Sequence, residues 1–255
     1  MSIPIKNDRE IDKMRTSCRT ASVVLDRVSA LIRPGITTGE VDRAASEFMR
    51  ELGCKSAFLG YRGFPGHVCI SVNEEVVHGI GGGRKIQYGD IVKLDIGVIK
   101  DGWVGDTATT VPVGIIDDKM QRLLRVTEDT LELAITYAQS GRRIGDMCAA
   151  IEDEVVANGY TVVREFVGHG VGRKLHEEPQ VPNYGRRGSG PKLKPGMTIA
   201  IEPMVNLGGA GVRVLADKWT VVTLDAKPSA HFEHTVLITK GEPEILTWRK
   251  RALSK

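Results

Sequence analysis

The sequence predicts an α+β fold in which a pair of helices followed by antiparallel strands occurs twice around a central curved sheet. Apolar residues recur at helical spacing in four segments of the chain, whereas the segments between them alternate apolar and polar residues as strands do. Two of the helical segments also align with each other without gaps, which indicates an internal repeat. Together these observations favour two homologous halves, each of the form helix, helix, strands.

The four helices are predicted from apolar stripes and from capping or terminating residues near their ends. The first is expected to begin near Asn7 or Asp8 and to end before Pro34-Gly35, with apolar positions that continue to Ile32. The others are expected from a Thr38 cap to Gly53, from about Asp118 through Ile135, and over the apolar positions Met147 to Val155 with an end at Gly159.

The second and fourth helices match at an offset of 106 residues (Gly35 to Gly141). The other matched pairs are Gly39 and Gly145, Glu40 and Asp146, Ala44 and Ala150, Glu47 and Asp153, and Gly53 and Gly159. Two predicted strands also match each other at an offset of 107 residues, and this match aligns Asp95 with Glu202 in the sequence. We therefore expect halves at about residues 8–115 and 117–247 of a single domain over 1–255, because no Ser/Pro-rich linker divides them. A twofold axis between such halves would bring Asp95 and Glu202 to one central point.

A predicted β-hairpin carries two aspartates, Asp95 and Asp106, in a segment that otherwise resembles buried structure. Residues 92–99 alternate in polarity, residues 100–102 (KDG) are turn residues, and residues 103–113 continue as a Thr- and Val-rich strand. With an even-numbered loop, the two aspartates lie on the same face, opposite or diagonal to each other. Like charges that close repel unless a cation lies between them. The alternative is a pair of solvated carboxylates on an exposed sheet face.

Two further acids and a histidine extend this pattern. Glu202 lies in the extended segment TIAIEPMVN, and Glu233 is the only acid in HFEHTVLIT. For each acid the alternative is an edge-strand carboxylate that faces solvent. His169 lies between glycines, which suggests a close backbone approach, and His176 follows seven residues later. The same segment resembles a glycine-rich phosphate loop, but the glycine spacing is wrong and no capped helix clearly follows.

The charge of these groups predicts a metal site. Four carboxylates (Asp95, Asp106, Glu202 and Glu233) and one neutral imidazole (His169) carry −4, which two divalent cations would neutralise. Oxygen-rich ligation with one imidazole suits Mn²⁺, Fe²⁺, Co²⁺ or Zn²⁺ and includes no thiolate that would select among them.

Composition excludes several other classes of protein. With 35 Lys+Arg and 32 Asp+Glu, the net charge of +3 is too small to indicate a nucleic-acid or membrane partner. The four cysteines form no Cys-x-x-Cys motif and are expected to be free thiols of a reducing compartment. The first residues contain no apolar signal segment, so a cytoplasmic location is expected.

Five segments resemble the type I methionine aminopeptidases of the bacterial type, which lack an N-terminal extension. They are GYRGFPGHVCISVNEEVVHGI, GDIVKLDIGVIKDGWVGDT, GHGVGRKLHEEPQVPNYG, LKPGMTIAIEPMVN and FEHTVLIT, and the likeness extends from about Ile5 to Arg249. The resemblance implies the pita-bread fold and a dinuclear metal site. Its implied ligands are Asp95, Asp106, His169, Glu202 and Glu233, with Asp106 and Glu233 bridging the two ions.

The resemblance also implies the reaction, which is hydrolytic removal of the initiator methionine from nascent proteins and peptides with a small second residue. Glu202 is the implied general base and later acid, and His78 and His176 contact the scissile peptide and stabilise the tetrahedral intermediate. The implied methionine pocket comprises Tyr61, Phe64, Cys69 and Trp219. Phe64 and Leu175 depart from the family pattern, where a hydroxylated aromatic residue and a Phe are common, yet both keep the pocket apolar. The implied partners are N-termini of nascent polypeptides at the ribosome, bound by a monomer.

Two alternatives share the predicted fold. Xaa-Pro aminopeptidases, prolidases and creatinase-like hydrolases usually carry an additional N-terminal domain, for which the short segment before the first predicted helix leaves no room. A catalytically inactive relative that serves as an interaction module would have lost metal ligands, whereas all five ligand positions here hold competent residues.

Overall fold

The computed structural model of this protein describes residues 2–248; Met1 and residues 249–255, which the predicted domain included, lie outside the described part. The helices are α1 (Asp8–Ser29), α2 (Thr38–Glu51), α3 (Asp118–Thr136) and α4 (Ile144–Ala157), with a 3₁₀ turn at Tyr61–Gly63. The four predicted helices are therefore confirmed. Within residues 2–248, no helix is long and apolar enough to cross a membrane.

Short antiparallel strands make up the rest of the fold. They are β1 (Lys55–Ser56), β2 (Cys69–Val72), β3 (Ile91–Lys100), β4 (Trp103–Pro112), β5 (Thr161–Val162), β6 (Gly168–Gly170), β7 (Glu177–Val181), β8 (Thr198–Ile201), β9 (Met204–Asn206), β10 (Val212–Val214), β11 (Val221–Thr223), β12 (Ser229–His231), β13 (Glu233–Leu237) and β14 (Glu244–Ile245). The main sheet has the order β1-β3-β4-β13-β8-β6-β7, with β2 paired to β3 and β14 paired to β13. Smaller sheets have the orders β12-β9-β5 and β10-β11.

Each half has its own helix pair and its own apolar core. Leu94 and Ile96 of β3 belong to the core beneath α1 and α2, and Ile199 and Ile201 of β8 belong to the core beneath α3 and α4. Because successive side chains of a strand point to opposite faces, the alternate residues of β3 and β8 face away from the helices. The two halves meet where β4 pairs with β13 in the middle of the main sheet.

The internal repeat is visible in equivalent backbone turns. Gly35 and Gly141 precede α2 and α4 and have φ values of 92° and 90°, a region that favours glycine. Their N–H groups donate to equivalent carbonyl oxygens, Gly35 to Ile86 at 2.8 Å and Gly141 to Leu193 at 2.9 Å. The sequence match therefore corresponds to the same local structure in both halves.

Helix α1 ends earlier than predicted. Its last residue is Ser29, because the N–H groups of Leu31 and Ile32 donate to carbonyls three residues back and tighten the chain into turns. Ile32 still packs against the apolar core of the first half, although it lies outside the helix. The apolar spacing continues past the end of the helix, and for this reason the sequence predicted the helix end too late.

The N-cap of α2 is Thr37, so the prediction of Thr38 was wrong. The Thr37 hydroxyl accepts a hydrogen bond from the Glu40 N–H at 3.2 Å, and the Glu40 carboxylate accepts one from the Thr37 N–H at 2.8 Å. This reciprocal pair is a capping box, which requires the acid three residues after the cap. Thr38 is the first helical residue, and its hydroxyl accepts instead from the Gly82 N–H.

A glycine next to Asp106 sets how closely α1 approaches the sheet. A Cβ atom on Gly105 would lie 2.5 Å from the Ser17 carbonyl carbon and 2.6 Å from the Cys18 nitrogen, both of them backbone atoms of α1. We expect Gly105→Ala to lower the free energy of unfolding by about 1–3 kcal/mol through overpacking. Urea denaturation of the metal-free protein measures the effect. Gly83→Ala is the control, since within residues 2–248 no atom other than those of its chain neighbours lies within 4 Å of that Cβ position. Equal losses in the two variants would contradict the prediction.

Candidate metal centre and active site

The five residues predicted to bind metal line a single cavity of about 280 Å³. Each comes from or directly follows a different strand of the main sheet: Asp95 from β3, Asp106 from β4, His169 from β6, Glu202 after β8, and Glu233 from β13. Four of these strands are central in the sheet order, on either side of the β4–β13 junction. The cavity therefore lies where the two halves meet.

Strand register explains why the acids converge. Asp95 pairs with Ala108 and Asp106 pairs with Gly97, so the two aspartates are diagonal neighbours on one face of the hairpin. Glu233 pairs with Ala108 from the other side. The last pair between β13 and β8 is His234 with Ile201, so the next step along both strands places Glu202 opposite Glu233. The predicted shared face of Asp95 and Asp106 is confirmed in its diagonal form.

The acids are not solvated surface groups, so that alternative was wrong. Asp106 and Glu233 are 3% and 2% exposed. Asp95 Oδ1, Asp106 Oδ1 and Glu233 Oε1 are buried without a hydrogen-bond partner among residues 2–248. A buried carboxylate oxygen without a donor is costly, and a cation between these oxygens would satisfy them.

Burial raises the pKa of each of the four converging acids, and the charges of the other acids add to this effect for Asp95, Asp106 and Glu233. Burial, with a contribution from the Glu202 charge, raises the pKa of Asp95 to about 7, and burial raises the pKa of Glu202 to about 8. Burial, followed by the charges of the neighbouring acids, holds the pKa values of Asp106 and Glu233 well above their usual range. Four acids that resist ionisation together are the environment that a divalent ion stabilises.

His169 presents one ring nitrogen to these acids. Its Nδ1 lies 2.9 Å from the Gly170 carbonyl oxygen, and its Nε2 lies 3.7 Å from Asp106 Oδ2 and 3.6 Å from Glu202 Oε1. Burial lowers the pKa of His169 to about 3, so the imidazole is neutral and can ligate a metal. Donor atoms of Asp106, His169 and Glu233 all lie within 4.8 Å of one another. The donor set therefore fits a divalent metal ion.

Two further histidines lie around the cavity. The Nδ1 atom of His176 lies 2.7 Å from the Tyr61 hydroxyl oxygen, and its ring centroid is 4.2 Å from that of His169. His78 has a left-handed backbone (φ 61°), and its ring meets the edges of Phe166 and Trp219 at 5.3 and 6.1 Å. Burial is the main cause that lowers the pKa of each histidine to about 4, so both rings are neutral.

The residues of the predicted methionine pocket form the apolar wall of the same cavity. Tyr61, Phe64, Cys69 and Trp219 all line it, and the Phe64 and Trp219 rings meet edge to face at 5.1 Å. Cys69 pairs with Asp95 across β2 and β3, which joins the apolar wall to the acids. Phe64 and Leu175, the two departures from the family pattern, are 3% and 6% exposed and keep this wall apolar. All four cysteines of the chain are buried free thiols, as expected.

Sequence reasoning missed other residues at the cavity. Phe166, Met204 and Arg62 line it, and the buried His231 places Nε2 3.5 Å from Glu202 Oε2. His231 lies two residues before Glu233, a spacing that could have pointed to the cavity through strand periodicity. Phe166 shortly precedes His169 in the sequence, but no sequence pattern indicates that its ring packs against His78.

Comparison with known proteins agrees with this geometry. The model of metallopeptidase family M24 matches residues 12–240. The methionine aminopeptidase of Clostridium perfringens is 49% identical over 245 residues, which cover 96% of this chain and 98% of that protein. Methionine aminopeptidase 1 of Bacillus subtilis is 48% identical over 242 residues, which cover 95% and 98%. The crystal structure of the Thermotoga maritima methionine aminopeptidase superposes with a TM-score of 0.95 at 46% identity, covering 97% of this chain and all of that one.

These matches, together with the converging acids, show that the chain belongs to metallopeptidase family M24 and has its pita-bread fold. Within that family, the full-length similarity is to methionine aminopeptidases, and that is the activity of this enzyme. The resemblance stated from the five sequence segments is confirmed.

Proposed function

We propose that this chain removes the initiator methionine from nascent polypeptides with a small second residue, using two divalent metal ions. The observation that carries the proposal is the shared cavity, in which the buried acids and His169 adjoin an apolar wall that includes Phe64 and Trp219. A chain N-terminus can therefore present its first side chain to the wall while its first peptide bond lies beside the acids.

Two ions are favoured by charge and position. The four carboxylates carry −4 when ionised, and Asp106 and Glu233 occupy the adjacent central strands β4 and β13. We propose that Asp106 and Glu233 would contribute to holding both ions, and that Asp95, His169 and Glu202 would complete the ligand set. The donor set of oxygens and one imidazole suits Mn²⁺, Fe²⁺, Co²⁺ or Zn²⁺. When bound, such ions lower the pKa of water and polarise the scissile carbonyl.

Glu202 is the proposed general base. With divalent ions beside it, the Glu202 carboxylate would stay ionised at neutral pH. It could therefore accept a proton from the attacking water and then pass it to the leaving amine. One of its oxygens lies 3.6 Å from His169 Nε2, next to the other proposed ligands. The same carboxylate can therefore contact the metal centre and the attacking water.

His78 and His176 are the proposed donors to the developing oxyanion. Both rings are neutral at neutral pH and so carry one N–H each. When the Tyr61 hydroxyl donates to Nδ1 of His176, the remaining N–H lies on Nε2, which is the tautomer needed for donation into the cavity. Fixed donors aimed at developing charge stabilise the transition state more than the ground state.

We expect His78→Ala and His176→Ala each to lower kcat by about a hundredfold or more, with KM changed only a few-fold. The reason is that each ring acts on charge that exists only in the transition state. Steady-state kinetics with a Met-Ala-Ser peptide and saturating Mn²⁺ measures both constants. A change mainly in KM at both positions would mean that these residues recognise the substrate instead.

The proposed partners are the N-termini of nascent polypeptides at the ribosome. The enzyme is proposed to act on them in the cytoplasm as a monomer. The cavity volume of about 280 Å³ suits one large side chain and supports recognition of a single N-terminal residue. The neutral free α-amine is expected to bind beside the acids, which would restrict the enzyme to unblocked termini. The small second residue is expected from the resemblance to methionine aminopeptidases.

Release of free methionine from Met-Ala-Ser, with and without added Mn²⁺ or Co²⁺, tests the proposal. Met-Lys-Ser and N-acetylated Met-Ala-Ser are the matched controls for the second side chain and for the free amine. We expect rapid metal-dependent release from Met-Ala-Ser alone. Absence of release with either metal, or equal release from all three peptides, would refute the proposal.

A further inference from the structure

His231 is held in place by its backbone on the side of Glu202 away from His169. It ends β12 and pairs with Met204 of β9. The Thr110 hydroxyl donates to the His231 carbonyl oxygen at 2.7 Å and accepts from the His231 N–H at 3.0 Å. The pairing of β12 with β9 and the hydrogen bonds to Thr110 fix the backbone of His231, and so the fold determines where its ring lies.

The His231 ring is buried and lacks a conventional hydrogen bond. The residue is 1% exposed, and neither ring nitrogen has a hydrogen-bond partner within residues 2–248. A neutral imidazole carries a single N–H, so one of the two ring nitrogens can donate a hydrogen bond. Buried polar groups are nearly always satisfied in folded proteins, so an unpaired imidazole beside an active site requires an explanation.

A carboxylate oxygen close to the ring identifies the partner of His231. His231 Nε2 lies 3.5 Å from Glu202 Oε2, while the other carboxylate oxygen of Glu202 lies 3.6 Å from His169 Nε2. The Glu202 carboxylate therefore lies between two imidazoles, one from each side. His169 Nε2 also lies 3.7 Å from Asp106 Oδ2, so the two imidazoles have different surroundings.

We infer that His231 is a positioning residue, which donates its Nε2–H to Glu202 Oε2 and thereby directs Glu202 Oε1 towards His169 and the metal centre. The inference rests on the proposed role of Glu202 as ligand and general base. Hydrogen bonds to ligating side chains fix their orientation, and their loss commonly costs ten- to a hundredfold in metal affinity or activity. A base whose second oxygen is free to rotate would be misaligned for the attacking water.

Three substitutions of His231 test this inference. His231→Phe keeps a planar ring without a donor, and His231→Leu is a second donor-free variant in case the first folds poorly. His231→Gln retains an N–H at a similar distance from the backbone. The control is His234→Gln, on the neighbouring strand, whose ring contacts the Thr247 hydroxyl at 2.8 Å.

With Met-Ala-Ser and saturating Mn²⁺, we expect the Phe and Leu variants to lose about ten- to a hundredfold in kcat, with KM within about threefold of wild type. Titration calorimetry with Mn²⁺ is expected to show about tenfold weaker binding in these variants. The Gln variant should stay within about threefold of wild type in both measurements, as should His234→Gln. A purely structural role for the ring would not be rescued by an amide.

Two results would overturn the inference. Unchanged kcat and Mn²⁺ affinity in the Phe and Leu variants would show that the ring does not act on Glu202. Equal losses in the Gln and Phe variants would assign His231 to metal ligation or packing. Wild-type protein that binds Mn²⁺ but releases no methionine would refute the proposed function, while the Mn²⁺ titrations would still test the position of Glu202.

Discussion

Replacing Asp106 by asparagine is expected to abolish both activity and tight metal binding while the fold persists. The amide keeps the volume of the side chain but removes a charge and an oxygen from the centre of the acid cluster, where Asp106 is diagonal to Asp95 and on the strand next to Glu233. Bound ions supply several kcal/mol of transition-state stabilisation, and each 1.36 kcal/mol is a factor of ten. We therefore expect turnover of Met-Ala-Ser to fall by about a thousandfold or more, measured with metal content on the same sample.

Asp101→Asn is the matched control for that experiment. It makes the same chemical change at the exposed turn of the same hairpin, where Asp101 has a left-handed backbone (φ 51°) that asparagine also tolerates. This variant should keep wild-type turnover and metal content. Two tightly bound ions and near-wild-type turnover in Asp106→Asn would disprove the dinuclear assignment.

Removal of the metal is expected to make stability depend on pH between about 6.5 and 8. An unfolded carboxyl loses its proton near pH 4, whereas the folded metal-free protein holds protons on Asp95 and Glu202 up to about pH 7 and pH 8. Over this interval the folded state binds more protons than the unfolded state, so the free energy of unfolding falls as pH rises. For a group with the pKa of Glu202, the loss is on the order of 2 kcal/mol.

The buried histidines set the lower limit of that pH window. The pKa values of His78 and His176 are lowered to about 4 and that of His169 to about 3. Below about pH 6.5 the unfolded histidines take up protons that the folded ones do not, so stability rises with pH and opposes the effect of the acids. Between pH 6.5 and pH 8 the unfolded histidines lose their remaining protons, which adds only about 0.4 kcal/mol of stability each and offsets part of the larger loss from the acids.

Urea denaturation at pH 6.5 and pH 8, with chelator or with excess Mn²⁺, measures this effect. Metal at a thousand times its dissociation constant should stabilise the protein by about 4 kcal/mol and remove the decline with pH, because the ions hold the carboxylates ionised. The Asp101→Asn protein should behave like wild type in both conditions. Equal stability of the metal-free protein at the two pH values would show that the acids do not converge as described.

Local patterns in the sequence were sufficient to predict the helices, the hairpin and the shared face of the two aspartates in that hairpin. Side-chain periods of 3.6 and 2 follow from backbone geometry, so apolar spacing specifies which face is buried without any knowledge of distant contacts. The internal repeat aligned Asp95 with Glu202 and thereby predicted that these two acids, one from each half, lie at one site. The resemblance of short segments to methionine aminopeptidases supplied the reaction, and full-length relatives confirmed it.

Tertiary structure alone decided which strands that are distant in the sequence lie side by side. The pairing of Glu233 with Ala108 depends on packing between halves far apart in the sequence, and no local pattern encodes it. No local pattern encodes the contact of His231 with Glu202 either. That contact follows from the pairing of β12 with β9 and from the two hydrogen bonds between the Thr110 hydroxyl and the His231 backbone. Side-chain periodicity reports the face that a residue occupies, but a contact across strands also requires register, and register between distant strands is set by how the two cores pack.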